Sequence, residues 1–214
     1  MPYKDNTITH HVRYARSTMV HEAGHAIAAW MCEREVELMA VAGVNGPPAR
    51  DHRGRPFAGA GLVRHTGGLP RWEEVKGTLI LRPERRAELL RETTKSIFIA
   101  GAGPAAEARV NHRSIHEIAV TGGALDWDES MLAIRPFAEG HADATENVRE
   151  IWNHAANVIR CPEVWAAIAY LAQELEVADG RLTLRKLQRI KAALNVASVR
   201  VFEPQNAVPP TVYN

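Results

Sequence analysis

The chain has 214 residues, 46% of them hydrophobic, with 26 Lys+Arg against 25 Asp+Glu and only two cysteines. That length suits one domain with a core large enough to stand without disulfides, and a net charge of +1 with no long basic block argues against a nucleic-acid partner. Cys32 and Cys161 form no C-x-x-C pair, so neither a disulfide framework nor a thiolate zinc site is indicated, and a reduced cytoplasm is the expected compartment.

Met1 to Arg16 carries charges every few residues and no apolar h-region, so no secretory signal is expected. No apolar run approaches the roughly 20 residues that span a bilayer, so neither is a membrane. From Ser17 to Cys32, Met19, Ala23, Ala26, Ile27 and Trp30 recur at helical spacing and predict a buried helix. Glu35 to Val41 alternates as a strand until Gly43, Asn45-Gly46 and Pro47-Pro48 stop it. Ala60 to Arg64 predicts a second strand, returning antiparallel through a long, mobile loop. Thr78-Leu-Ile-Leu81 is too short for its periodicity to decide between a strand and a helix start.

Pro83 suits the first turn of a helix whose stripe of Leu89, Leu90, Ile97 and Ala100 runs into the small-residue patch Ala100-Gly-Ala-Gly-Pro-Ala-Ala106. Pro104 is expected to kink or restart that helix. After Thr121-Gly-Gly123 a helix is expected from about Leu125 to Phe137. Asp143-x-x-Glu146 reads as a capping box for a helix with Val148, Ile151, Trp152, Ala155, Val158 and Ile159 on one face. Two more helices follow, Pro162 to about Val177 and Thr183 to about Val196, divided by Asp179-Gly180. Residues 201–214 read as an extended tail behind one domain over 1–200. The fold class is mainly α with a small β-sheet.

His21-Glu22-Ala-Gly-His25 has the form H-E-x-x-H. On a helix its two imidazoles share one face, with Glu22 about 100° round from His21. Such a pair chelates Zn²⁺ through nitrogen, and the adjacent carboxylate is placed to take a proton from a zinc-activated water. Chance would produce the motif in about 4% of shuffled chains of this composition. Its setting weighs more, because three polar side chains inside an apolar helix need partners to offset their burial. A catalytic zinc needs a third protein ligand, and by sequence distance Glu73, Glu74, Glu84, Glu88, His112, His116, Asp126, Asp128 and His141 all qualify.

Val20-His-Glu-Ala-Gly-His-Ala-Ile27 resembles the metal helix of the FtsH family of membrane-anchored AAA+ zinc peptidases. Gly103-Pro-Ala-Ala-Glu107 is similar to that family's G-R-A-A-E segment, and Thr121-Gly-Gly-Ala-Leu-Asp126-Trp127 to its T-G-A-x-x-D-aliphatic segment. The resemblance spans roughly Val12 to Leu194. It implies a zincin-like FtsH-type peptidase domain with zinc held by His21, His25 and Asp126 and with Glu22 as general base. Asp126 is also open to reading as the N-cap or a first-turn acid of its helix, a role compatible with ligation, with Asp128 and Glu129 as rival ligands. Glu107 is either the group that orients a ligating imidazole or a solvated helix acid.

The family's pattern is broken at Pro104 for Arg, Gly123 for Ala, Trp127 for an aliphatic residue and Ser130-Met131 for Ala-Thr. No phosphate-binding G-x-x-x-x-G-K-[ST] is present, and Gly101-Ala-Gly103 reads as a packing surface. The expected activity is therefore an ATP-independent zinc metalloendopeptidase acting on unfolded polypeptide, with Gly61-Leu62-Val63 as the strand edge that would hold it. The relatives' assemblies add further copies of the chain and an ATPase supplied in trans as candidate partners. The rival is a non-proteolytic zinc-containing binding or regulatory module, which a fourth ligand from His112 or His116 would favour. A metal-free helical interaction protein is the third reading.

Overall fold

The computed structural model describes residues 15–67 and 83–194, apart from 45, 47, 52 and 58. The first helix, α1 (Arg16–Met31), has no side-chain N-cap and no acid in its first turn, yet every residue from Met19 to Met31 is buried. Packing rather than local signals holds it. It ends where Glu33 adopts φ 61° and the Arg34 N–H reaches back to the Ala29 carbonyl at 2.9 Å. This is a Schellman closure built without glycine.

Strand β1 (Val36–Val41) follows and is buried at five of its six residues, as befits the middle of a sheet. It pairs antiparallel with β2 (Gly61–His65), with a bulge between Val36 and Leu38. The connecting loop is long, as expected, and has order of its own. Arg50 bridges Pro56, and Asp51 accepts the N–H groups of Arg53 and Arg55. Thr78–Leu81 and the tail 201–214 lie outside the described residues.

Helix α2 (Pro83–Val110) runs through Pro104 as one 28-residue element, so the restart expected there does not occur. It packs against α1 on one side and against α4 (Ala124–Ile134) and α5 (His141–Ile159) on the other. Between α2 and α4 lies the short α3 (Ile115–Ala119), closed by a Ser114–Glu117 capping box and not anticipated from the sequence. The helix expected from 125 to 137 ends at Ile134, and Arg135–Phe137 continue as a 3-10 turn.

The capping box at Asp143 is corrected, because the N-cap of α5 is Gly140, three residues earlier. Asp143 instead sits in the first turn, where its carboxylate accepts the Glu139 N–H at 2.9 Å. Helix α6 (Pro162–Val177) matches expectation. The last helix, α7, covers Leu184–Leu194, because Arg181–Thr183 form a third strand, β3, antiparallel to β1. The sheet order is β2-β1-β3, which leaves β2 at an edge among the described residues. Seven α-helices and three strands make the described part mainly helical with a small antiparallel sheet. None of these helices is long and apolar enough to cross a membrane.

Candidate metal centre

Helix α1 buries three polar side chains, His21, Glu22 and His25, each no more than 9% exposed. The two histidines find partners on other elements. His21 Nδ1 lies 2.9 Å from Glu107 Oε2 on α2, and His25 Nδ1 lies 2.8 Å from the Ile99 carbonyl oxygen on the same helix. Both partners only accept, so each imidazole donates from Nδ1 and its Nε2 points the other way. There the two Nε2 atoms meet one carboxylate, at 3.3 Å and 3.4 Å from Asp126.

One donor atom from each of His21, His25 and Asp126 lies within 4.8 Å of the others. Two imidazole nitrogens and a carboxylate converging on one point are a donor set suited to zinc, and Glu107 and Ile99 are the outer partners that fix such ligands. Asp126 also occupies the first turn of α4, so both sequence readings of it describe the same position.

The rival ligands fall elsewhere. Asp128, His112, His116, His141, Glu84 and Glu88 are exposed and outside the group, and Glu73 and Glu74 lie outside the described residues. Glu129 reaches the same cleft but is not in the group. Among the described residues no fourth side chain joins the three, and the histidine closure that would mark a structural site is not seen.

The electrostatics follow from burial. Desolvation works against charge on His21, but Asp126 and Glu107 outweigh it and raise its pKa to about 10. His25 shifts the other way, because burial there dominates the attraction of Asp126. Burial lifts Glu22 to about 8 against the pull of His21. A divalent ion at the three donors would favour its ionised form. Glu22 has no hydrogen-bond partner among the described residues, and its side chain lines a cleft of about 680 Å³.

Three glycines make room for these side chains. A Cβ at Gly61 on β2 would overlap the Glu22 carboxylate, and one at Gly103 would overlap the His25 imidazole. One at Gly122 would meet Glu107 Oε2 at 2.7 Å. Strand β2 thus lies directly over Glu22. The Ala42 N–H donates to Ala60 O at 2.8 Å, and the register holds from Val41–Gly61 to Leu38–Arg64. The alternation of an antiparallel ladder therefore turns the main-chain groups of Gly61 and Val63 away from β1, to the unpaired side.

Of the residues that depart from the FtsH-type pattern, Pro104 and Gly123 contact each other, and Trp127 and Ser130 both contact Trp152. A Cβ at Gly123 would meet Pro104 Cγ at 2.7 Å, so glycine stands where the proline ring needs space. The Trp127 ring packs edge-on against Trp152 with centroids 5.1 Å apart, and the Trp152 Nε1–H donates to Ser130 Oγ at 3.2 Å. These contacts seat α4 against α2 and α5 and so carry Asp126 to the imidazoles. The Ile99 carbonyl was invisible to sequence reasoning, because a backbone acceptor carries no residue signature. The glycine pattern at 61, 103 and 122 was visible but had no assigned partner. The chain matches no protein-family model, and no curated protein matches it significantly.

Proposed function

We propose that the chain is a zinc metalloendopeptidase of FtsH-like design that cleaves unfolded proteins or peptides without ATP, in a reduced cytoplasm. The observation that carries this reading is the pairing of both Nδ1 atoms with fixed acceptors, which leaves two Nε2 atoms and Asp126 facing one another beside an uncommitted Glu22. Bound there, zinc would act as a Lewis acid that lowers the pKa of water and polarises a carbonyl.

The chain's own residues do the rest. Glu22 accepts the proton of the attacking water and returns it to the leaving amine. Glu107 and Ile99 hold the imidazoles in register while charge develops. The outward groups of Gly61 and Val63 would pair with an extended substrate, a mode that tolerates many sequences but demands an unfolded segment. Folded domains should therefore be spared with or without ATP. This chemistry uses one chain, so neither an ATPase in trans nor further copies are required for it.

The alternative is a zinc-containing regulatory module. The Glu22 carboxylate, which has no hydrogen-bond partner among the described residues, favours catalysis, because a purely structural site has no use for it. The deciding experiment measures metal content and casein cleavage together. Glu22→Gln should keep zinc and lose about 10²–10⁴-fold in kcat, whereas Asp126→Asn should release zinc. A Glu22→Gln variant as active as the unsubstituted chain would sink the assignment, as would activity surviving chelation with zinc verified absent.

A further inference from the structure

Helix α4 brings three residues to the wall of the cleft: Leu125, Asp126 and Glu129. Leu125 and Glu129 are four apart and so neighbours on one helix face. Leu125 is 72% exposed and presents its apolar side chain at the wall of the cleft. Glu129 is exposed and makes no hydrogen bond or ion pair among the described residues.

Each of the other carboxylates in the described lining is either paired or buried. Asp126 faces the imidazoles, Glu107 holds His21, and Glu22 lies under Gly61. Arg34, the one guanidinium in the lining, is itself buried and donates to the Gly67 carbonyl, Glu92 and Ser96. Even with a divalent ion counted, carboxylates outnumber positive charges in the described lining. An exposed apolar side chain one turn from an uncommitted carboxylate matches the two parts of a long basic residue, its aliphatic stem and its charged head.

We propose that Leu125 and Glu129 form a subsite that selects a Lys or Arg side chain of the polypeptide lying in the cleft. The inference rests on the peptidase reading for its polypeptide occupant. The stem lies along Leu125 and the head meets Glu129, with arginine favoured because its planar fork engages a carboxylate through two bonds. Burial, helped by the nearby Asp126 charge, raises the Glu129 pKa, so its ionised form gains from an arriving cation.

The test uses pairs of fluorogenic peptides identical except for Arg or norleucine at one position, which is moved along the sequence. Norleucine keeps the stem and removes the charge. The zinc-loaded chain should prefer the Arg peptide about tenfold in kcat/KM at one position and low salt. Glu129→Gln should bring that ratio close to one, and Glu129→Arg should shift preference to a peptide with Glu there. The same ratio is read without hydrolysis by fluorescence anisotropy on Glu22→Gln, alone and combined with Glu129→Gln. Equal treatment of the two peptides at every position overturns the subsite, and so does a preference that survives Glu129→Gln. If binding selects Arg through Glu129 but no peptide is hydrolysed, the subsite stands and the peptidase reading falls.

Discussion

Helices α1 and α5 both lie against α2, and residues only two apart on α2 receive them. Gly101 faces the Trp152 indole of α5, and Gly103 faces the His25 imidazole of α1. Helix α5 is an ordinary amphipathic helix, burying Ala144, Val148, Trp152, Ala155 and Ile159 on one stripe and exposing charge on the other. Helix α1 has no exposed face over thirteen residues and carries a histidine pair and a glutamate inside it. Apolar area holds the first contact, where a misfit is spread over many weak neighbours. Directed hydrogen bonds hold the second, where a misfit of an ångström is felt by one ring. The same small residue, used twice on one helix, thus serves bulk packing on one side and ligand geometry on the other.

The largest effect should come from the α5 side. Trp152 is 1% exposed, and Trp152→Ala should cost about 3–5 kcal/mol in urea unfolding and, by removing the Trp127 and Ser130 contacts that help seat α4, should weaken zinc binding as well. A loss below about 1 kcal/mol would mean that α5 is not held by this stripe.

The sharpest comparison uses the two glycines. Gly103→Ala drives a methyl into the His25 ring and should weaken zinc binding about 10–100-fold. Gly101→Ala presses on Trp152 and should lower stability by about 1–3 kcal/mol with a smaller loss of metal affinity than Gly103→Ala. Equal loss of affinity in both variants would show that the two sides of α2 do not act separately.

Proton linkage gives a smaller signal. With His21 held protonated to about pH 10 when metal is absent, zinc binding at neutral pH must expel that proton. Apparent affinity should therefore rise with pH, by up to about tenfold per unit, and calorimetry in buffers of different ionisation enthalpy should report at least one proton released. The sign reverses for the metal-free fold. The charged His21 adds stability fully present below about pH 6.5, which is lost as pH rises toward 10. Zinc uptake without proton release would place the metal elsewhere.

Sequence reasoning reached α5 and α6 because their stripes are long, and it reached His21, Glu22 and His25 because one helical turn encodes their chemistry. It missed β3, giving Thr183 to the following helix and Arg181 and Leu182 to no element, because three residues with only Leu182 buried become a strand solely by pairing with β1. Asp126 came from resemblance and not from spacing, since its approach to the imidazoles depends on how α4 seats on α2.

The ends of α1, α2 and α6 share one kind of closure. Each closes on a non-glycine residue at positive φ, Glu33, His112 and Asp179, with an N–H reaching back five residues. These residues carry strain that glycine would not. Glu33→Gly should accordingly raise stability by about 1 kcal/mol, the smallest shift expected here, read as a higher urea midpoint with unchanged slope. A fall of that size would mean that the Glu33 side chain contributes more than its backbone loses.

The contact between Pro104 and Gly123 bears on how such a chain could have come about. With the proline present, a methyl at 123 meets its ring, so alanine there and proline at 104 exclude each other unless α4 shifts and takes Asp126 with it. An ancestor with a side chain at both places would have had to gain the glycine first, since the proline alone would displace the helix that delivers the carboxylate. The pair is therefore unequal: Gly123→Ala should harm metal binding, while Pro104→Ala leaves the glycine merely idle.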